Sequence, residues 1–300
     1  MTGELSALGT SVLWAIGGVM LKPLSNRFPA VMLNAIRCGG AVLVFAVILV
    51  LTGKTSLLAT VPLRSAALVI GGTVLGIGIG ENLYVVSLRY LDVSRAYPLS
   101  ACAYPIVTMA IAFFLFQETI SPLAFAGIAV VLIGIYFLAA PSGRFFTGLS
   151  MNKPQEKRGM LLLSLAVIAW GISTIAIRVA TREIDPVLAN FLRMTGTAVV
   201  LLPFALAQRR NVSRQAGWGS IGVAVANGVI SFGLGGILFL SALQKSGASL
   251  TSVLTSTSPV FLLPMSIIFL KEKVTAKLIV GAVLSVLGIC LTVLPRLMGG

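Results

Sequence analysis

The sequence predicts an all-α protein: a polytopic membrane helix bundle of ten transmembrane helices in two inverted five-helix repeats. Of its 300 residues, 57% are hydrophobic and only 10% are charged. The mean hydropathy of +1.03 is too high for a chain folded around one soluble core. The apolar runs are continuous over about 20 residues and do not alternate like strands, which favours helices over a barrel. The second half of the chain also repeats the pattern of the first.

Ten apolar spans are separated by short polar segments, and each span is long enough to cross a hydrocarbon core about 30 Å thick. The longest polar interval, 141–159, is predicted to be a linker loop between a first repeat at 1–140 and a second at 160–300. The predicted spans are 5–22, 29–52, 66–90, 95–116, 122–140, 160–179, 187–207, 217–243, 248–270 and 274–295.

Two nearly constant offsets relate the repeats. Because five spans is an odd number, the second repeat is expected to enter the membrane from the opposite side, as in alternating-access transporters. The matched pairs are Trp14 and Trp170, Lys22 and Arg178, Asn34 and Asn190, Arg37 and Arg193, and Gly40 and Gly196 at an offset of 156, and Ser87 and Ser241, Pro105 and Pro259, Glu118 and Glu272, Gly127 and Gly281, and Gly134 and Gly288 at an offset of 154.

The net charge of +14 comes mainly from basic residues in short loops, so it indicates membrane orientation and no nucleic-acid partner. Fourteen basic residues lie in loops on one predicted face and five on the other. The positive-inside rule therefore predicts that both termini lie outside the cytoplasm, in a bacterial inner membrane.

Several chemistries are excluded by the residues present. The chain has no histidine, and its three cysteines, Cys38, Cys102 and Cys290, lie inside apolar runs, so we interpret them as structural thiols. It contains no phosphate-binding loop, nucleophile elbow or metal-ligand cluster. We expect no enzyme activity, no cofactor and no metal, and an ion or substrate gradient as the energy source.

Glu81 is the one acidic residue deep inside a predicted span, roughly 22 Å along it at 1.5 Å per residue. A carboxylate at that depth costs on the order of 3 kcal/mol unless it is paired, protonated or hydrated. One hypothesis makes Glu81 a contact for a substrate amine or a proton site. The alternative is a neutral glutamic acid hydrogen-bonded to a neighbouring helix.

Two hydroxyl-rich helix faces are further candidates for substrate binding. Each face runs into a proline, Pro105 or Pro259, which frees a backbone carbonyl. Facing each other, they would line a polar cavity; alternatively, Ser and Thr hydroxyls bond their own backbone. The face residues are Tyr97 and Tyr104 in span four and Thr251, Thr255 and Ser258 in span nine.

Aromatic and amide residues complete the predicted site. Each of Trp14 and Trp170 lies about ten residues into its span, so we favour cavity lining over interfacial anchoring, with plain helix packing as the alternative. The other predicted substrate-binding residues are Asn82, Tyr84, Thr174, Asn227 and Ser231. In span three, the glycines of Gly72-x-x-x-Gly76-x-x-x-Gly80 predict a face for close helix packing.

Two arginines lie about eight residues inside spans two and seven. Each is close enough to a span end to snorkel to the interface. The inversion also suggests charge pairs that hold closed states, Arg37 with Glu272 and Arg193 with Glu118.

The repeating unit resembles the EamA repeat of the drug/metabolite transporter superfamily. It consists of Ser-Ala-Leu (241–243), a small-residue turn, a Ser/Thr-rich helix reaching Pro259, Phe-Leu-Lys-Glu (269–272) and a Gly-spaced closing helix. The first half also resembles the small multidrug resistance proteins through WAIGGVMLK at 14–22. Where that family carries a membrane-embedded glutamate, this chain has Trp14, which counts against cation/proton exchange through such a carboxylate.

The resemblance implies a secondary transporter that exports amino acids or related small polar metabolites by alternating access. One alternative is a proton-coupled multidrug exporter of organic cations, with the aromatic residues forming cation-π contacts. A second is a non-transporting membrane scaffold. Besides the bilayer and a small-molecule substrate, protons are a candidate partner, and the chain is expected to act as a monomer or a homodimer.

Overall fold

The computed structural model describes most of the chain, and the described residues form helices joined by turns, with no strand among them. The prediction of an all-helical fold is confirmed. The described residues are 2–25, 27–87, 90–91, 93–117, 121–139, 154–182, 184–213, 216–258, 260–261, 265 and 276–298.

The helices begin and end close to the predicted spans. The largest difference at a helix start is at Pro154, where a helix begins inside the stretch predicted as a linker. The predicted span 248–270 is described as a helix over 248–255, and most of the rest of that span lies outside the described residues. The helices are α1 (Thr2–Ser25), α2 (Ala30–Leu51), α3 (Leu63–Ser87), α4 (Val93–Phe116), α5 (Pro122–Ala139), α6 (Pro154–Ala180), α7 (Pro186–Ala207), α8 (218–246), α9 (248–255) and α10 (Ala276–Met298).

Many of these helices are long and apolar enough to cross a membrane. By length and composition, five described stretches qualify: α2, α3, α6, α7 and the segment Trp218–Thr255. Shorter apolar helices lie within α4, α5 and α10, at Ala103–Phe116, Pro122–Gly134 and Val283–Thr292. The fold is therefore a polytopic membrane bundle, and the count of ten transmembrane helices stays a prediction.

The faces of α2 explain why this sequence suits lipid. Leu43, Val47 and Val50 follow one another at helical spacing and are exposed, so they form a lipid-facing stripe. The opposite face is buried and includes the polar side chains of Asn34 and Arg37. A membrane helix thus turns its polar residues inward, where they reach partners that lipid does not supply.

Glycines set the closest helix approaches. A Cβ at Gly127 of α5 would lie 2.5 Å from the backbone nitrogen of Thr292 in α10, and one at Gly134 would lie 2.5 Å from that of Ser285. No side chain fits at such distances, so these helices cross backbone to backbone. Both glycines belong to pairs matched in the internal repeat.

The predicted glycine face of α3 packs against α6. A Cβ at Gly76 would lie 2.5 Å from Ser173 Oγ, and one at Gly80 would lie 2.8 Å from Cδ1 of Trp170. This close packing brings the Trp170 indole onto the backbone of α3.

Both α3 and α8 are interrupted by a π-helical segment. In α3 it is Val74–Glu81, and in α8 it is Gly228–Leu234. A π-helical turn inserts a residue and shifts the backbone hydrogen bonds, so carbonyl oxygens become available to side-chain donors. The two segments begin 154 residues apart in the chain.

Gly247 separates α8 from α9. Its φ of 79° and ψ of 174° lie in a backbone region that glycine adopts without steric cost. The small-residue turn that the sequence places after Ser241 therefore falls at this residue.

Candidate functional site

The first part of the site surrounds Trp170 of α6. Its indole Nε1 donates a hydrogen bond to the carbonyl oxygen of Gly76 in the π-helical segment of α3, at 3.1 Å. The Tyr84 ring lies 5.5 Å from the Trp170 ring, tilted by 47°. Thr174 Oγ1 bonds the Trp170 carbonyl oxygen at 2.9 Å and lies 2.9 Å from the Tyr104 hydroxyl. Four residues predicted from the sequence thus come together between α3, α4 and α6.

The second part surrounds Trp14 of α1. Its Nε1 donates to the carbonyl oxygen of Ser231, in the π-helical segment of α8, at 3.2 Å. The Phe239 ring lies 5.4 Å from the Trp14 ring, tilted by 40°. Asn227 Nδ2 donates to the carbonyl oxygen of Gly17 at 2.7 Å. Phe239 was not predicted; it lies 155 residues after Tyr84, the same spacing that separates the two indole acceptors, Gly76 and Ser231.

A buried charge network connects α2, α3 and α8. Arg37 Nη1 lies 3.0 Å from Glu81 Oε1, with side-chain exposures of 6% and 24% respectively. Arg37 Nη1 also donates to Asn34 Oδ1 at 2.8 Å, and its Nε donates to Asn227 Oδ1 at 2.7 Å. The guanidinium carbon lies 3.9 Å from the Phe232 ring centroid. Arg37 is therefore held by one ion pair, two amide oxygens and one aromatic face.

This network lines a cleft of about 50 Å³. That volume has room for a few water molecules. The cleft lies at the end of α2 that begins at Ala30, so it is reached from the side of the α1–α2 connection. Its lining residues are Phe28, Ala30, Leu33, Asn34, Arg37, Glu81 and Val85.

Glu81 forms an ion pair with Arg37, for which a different partner was predicted. Arg37 was expected to pair with Glu272, and Arg193 with Glu118; both glutamates lie outside the described residues, so these pairings stay predictions. A salt bridge between Arg37 and Glu81 was not predicted, because nothing in the sequence indicates that α2 and α3 turn these side chains toward each other.

The predicted hydroxyl face of α9 is buried. Thr255 Oγ1 donates to the carbonyl oxygen of Thr251 at 2.8 Å, the local bonding proposed as the alternative. Thr251 Oγ1 has no hydrogen-bond partner among the described residues. Ser258 is half-buried, and the side chain of Tyr97 lies outside the described part of the chain. Neither Thr251 nor Thr255 belongs to the lining of the cleft at Arg37.

The Asn82 side chain also bonds its own helix, since its Nδ2 donates to the carbonyl oxygen of Gly78 at 2.8 Å.

No group of three His, Cys, Asp or Glu side chains suited to a metal ion occurs in the described segments. Cys38, buried in α2, and Cys290, exposed in α10, are free thiols.

A second buried arginine, Arg193 of α7, forms its own hydrogen-bond network. Its Nε donates to Asn190 Oδ1 at 2.7 Å. Asn190 Nδ2 in turn donates to the carbonyl oxygens of Phe232 and Gly233, at 3.1 and 3.2 Å. Phe232 thus contacts Arg37 through its ring and Asn190 through its carbonyl, which joins the two arginine networks.

Membrane-length apolar helices arranged around buried charged and amide side chains define a multi-pass helical membrane protein. The chain belongs to the EamA-like transporter family, whose sequence pattern matches residues 1–140 and 157–294. It is a membrane transporter.

Known proteins resemble the chain over nearly its whole length. An uncharacterized transporter of Archaeoglobus fulgidus is 24% identical over 293 residues, 98% of both chains. The uncharacterized transporter YoaV of Bacillus subtilis is 22% identical over 287 residues, 95% of this chain and 94% of its own. A solved crystal structure with 21% identity superimposes with a TM-score of 0.79 over 99% of each chain, which supports the fold alone.

Proposed function

We propose that the protein exports a small zwitterionic metabolite, an amino acid or a related compound, across a bacterial inner membrane by alternating access. The observation that carries this proposal is the cleft lined by Glu81, Arg37 and Asn34. Charged groups within membrane helices are costly to bury and typically mark a substrate or ion pathway. A carboxylate in such a cleft suits a solute that carries an ammonium group, and the two buried arginines of the connected networks suit one that also carries a carboxylate.

The ion pair favours a zwitterion over an organic cation. A cation exporter coupled to protons needs a carboxylate that cations and protons occupy in turn. Glu81 Oε1 already faces the Arg37 guanidinium, which competes with an incoming cation for that oxygen. The second carboxylate oxygen stays available to bond a substrate ammonium group while the ion pair persists.

The direction of transport is proposed from the position of the cleft. It lies next to Phe28 and Ala30, on the side of the loop between α1 and α2. That loop belongs to the face with more basic residues, which the positive-inside rule places in the cytoplasm. A substrate would therefore enter the cleft from the cytoplasm, as export requires.

The proposal is tested by counterflow in proteoliposomes with a panel of labelled amino acids and a labelled quaternary ammonium ion, with and without a pH gradient. We expect saturable exchange of at least one amino acid and no flux of the quaternary cation. Exchange of the cation with release of protons would replace the proposal by the multidrug alternative, and no flux of any solute by correctly folded protein would support a scaffold.

The matched variants are Glu81→Gln and Glu156→Gln. Glu156 lies in the first turn of α6, outside the cleft lining. We expect Glu81→Gln to abolish or uncouple amino-acid exchange and Glu156→Gln to leave it unchanged. Full exchange with unchanged pH dependence in Glu81→Gln, in protein that elutes as one symmetrical peak in size-exclusion chromatography, would contradict the role of Glu81.

A further inference from the structure

Arg193 occupies the position in the second repeat that Arg37 occupies in the first. The two arginines are 156 residues apart, and each bonds the asparagine three residues before it: Arg37 bonds Asn34 at 2.8 Å and Arg193 bonds Asn190 at 2.7 Å. Their side chains are buried to the same degree, at 5% and 6% exposure. The two sites therefore share a buried arginine bonded to the asparagine three residues before it, through Nη1 in Arg37 and through Nε in Arg193.

The carboxylate is present at one site only. Glu81, the partner of Arg37, corresponds to Gly236 by the spacing of 155 residues that separates the two indole acceptors, Gly76 and Ser231. A Cβ at Gly236 would lie 2.5 Å from Arg193 Nη2 and 2.5 Å from Asn190 Oδ1. The guanidinium group of Arg193 thus lies directly against the position from which Glu81 would project in the other repeat.

Within the described part of the chain, Arg193 has no carboxylate oxygen within 4 Å, and Asn190 Oδ1 is its one hydrogen-bond acceptor. Among the described residues, two guanidinium groups and one carboxylate therefore occupy the connected networks around Phe232. A guanidinium group nine-tenths buried without a counter-charge is strongly unfavourable, because its lost hydration is not replaced. Such a group is retained where an anion binds it during function.

We propose that Arg193 binds the carboxylate group of the transported substrate. A guanidinium fork presents two parallel N–H donors that match the two oxygens of a carboxylate. The Nε donor is already used by Asn190, which orients the fork and leaves the two Nη groups for the anion. Arg37 is less suited to this task, because Glu81, Asn34, Asn227 and the Phe232 ring already surround it. This assignment rests on the proposed function and names the residue that recognises the acidic end of the substrate.

The first test measures stability without substrate. Removing an uncompensated buried charge stabilises a fold, whereas removing one partner of a buried ion pair destabilises it. We therefore expect Arg193→Met to raise the melting temperature of the purified protein in detergent and Arg37→Met to lower it. A lower melting temperature for Arg193→Met would show that Arg193 has an internal anionic partner, and the same loss in Glu118→Gln would identify Glu118 as that partner. Either result overturns the proposal.

The second test gives Arg193 the carboxylate that Arg37 has. Gly236→Glu would place a carboxylate against the guanidinium group, and Gly236→Gln would place an uncharged side chain of the same size there. The atoms that a Cβ would meet belong to the side chains of Arg193 and Asn190 and not to the backbone, so both variants displace the same side-chain ends. We expect Gly236→Glu to raise the KM for amino-acid counterflow by about tenfold or more relative to Gly236→Gln, because the internal carboxylate competes with that of the substrate. Equal KM values in the two variants would contradict the proposal.

A ligand titration separates this inference from the proposed function. Sodium acetate, sodium phosphate and sodium chloride are compared as stabilisers of the wild type and of Arg193→Met at equal ionic strength. We expect acetate to raise the melting temperature of the wild type more than chloride does. In Arg193→Met, acetate and chloride should raise the melting temperature equally. Stabilisation by phosphate alone would replace the carboxylate by a phosphorylated ligand. Amino-acid exchange that is insensitive to Arg193→Met would remove the role of Arg193 and leave the proposed transport intact, whereas absence of any amino-acid flux in the wild type would remove the proposed function itself.

Discussion

The surroundings of Trp14 and Trp170 share two contacts, a hydrogen bond and a ring contact, whereas those of Arg37 and Arg193 differ in their charge. Each indole donates to a carbonyl oxygen in a π-helical segment, at 3.2 and 3.1 Å, and each ring lies about 5.5 Å from an aromatic ring, Phe239 or Tyr84. Of the two arginines, Arg37 alone has a carboxylate partner among the described residues. The matched contacts stabilise the helix crossings in both parts of the chain, while the unmatched charge distinguishes the two sites chemically.

The largest effect is expected at the Arg37 ion pair. Arg37→Met leaves the Glu81 carboxylate in the bundle without its cation and should lower the free energy of unfolding by about 3–5 kcal/mol. Titration with SDS, followed by tryptophan fluorescence, measures this change. The control is Lys54→Met, since Lys54 pairs with Asp185 at 3.4 Å on the surface and such pairs contribute at most about 1 kcal/mol. Equal losses in the two variants would show that Arg37 and Glu81 are not coupled.

A second contrast concerns the backbone next to Arg37. A Cβ at Gly228 would overlap the carbonyl oxygen of Arg37, which cannot move without shifting α2. A Cβ at Gly196 of α7 would instead meet the side chain of Ile70. Gly228→Ala should therefore cost about 1–3 kcal/mol and Gly196→Ala less. Gly219→Ala is the control for helix propensity, because nothing lies within 4 Å of a Cβ there. A cost for Gly196→Ala that equals or exceeds that for Gly228→Ala would reverse this ranking.

The matched indoles predict equal and smaller effects. Trp14→Phe and Trp170→Phe each remove one hydrogen bond to a carbonyl oxygen in a π-helical segment. Each should lower the free energy of unfolding by about 1 kcal/mol beyond the loss of ring area, and the two should agree within about 0.5 kcal/mol. Thermal unfolding of the two variants side by side checks the agreement. A clear inequality would mean that the two crossings are not equivalent despite their geometry.

The smallest effect is expected at Tyr104, a hydroxyl contact found beside Trp170. Tyr104→Phe removes the contact with Thr174 Oγ1, which keeps its bond to the Trp170 carbonyl oxygen. No buried donor is stranded, so the loss should be about 0.5–1 kcal/mol. The melting temperature of Tyr104→Phe, compared with that of Thr174→Val, measures whether the hydroxyl stabilises the Trp170 crossing at all. A larger loss for Tyr104→Phe than for Trp170→Phe would show that the hydroxyl, and not the indole, dominates there.

Parts of the site could be predicted because they depend on local pattern or on the internal repeat. Trp14, Trp170, Tyr84 and Thr174 stand out as polar or aromatic residues at mid-span, and the structure brings the last three together. Phe239 was missed because a phenylalanine in an apolar run has no distinguishing feature, and its spacing of 155 residues from Tyr84 equals neither of the two sequence offsets.

What the sequence by itself determined is the membrane-helical class, nearly all helix bounds and the recurrence of the same residues at one spacing, because hydropathy, glycine and proline act over a few neighbouring residues. The tertiary structure alone decided the partner of Glu81, the π-helical segments in α3 and α8, and the bonding of their carbonyl oxygens by indoles from α1 and α6. These depend on how each helix is rotated about its axis, which is set by close packing between residues far apart in the chain. The sequence therefore shows that a charged residue lies within an apolar span and is unfavourable to bury. Only the packed helices show which group compensates that charge.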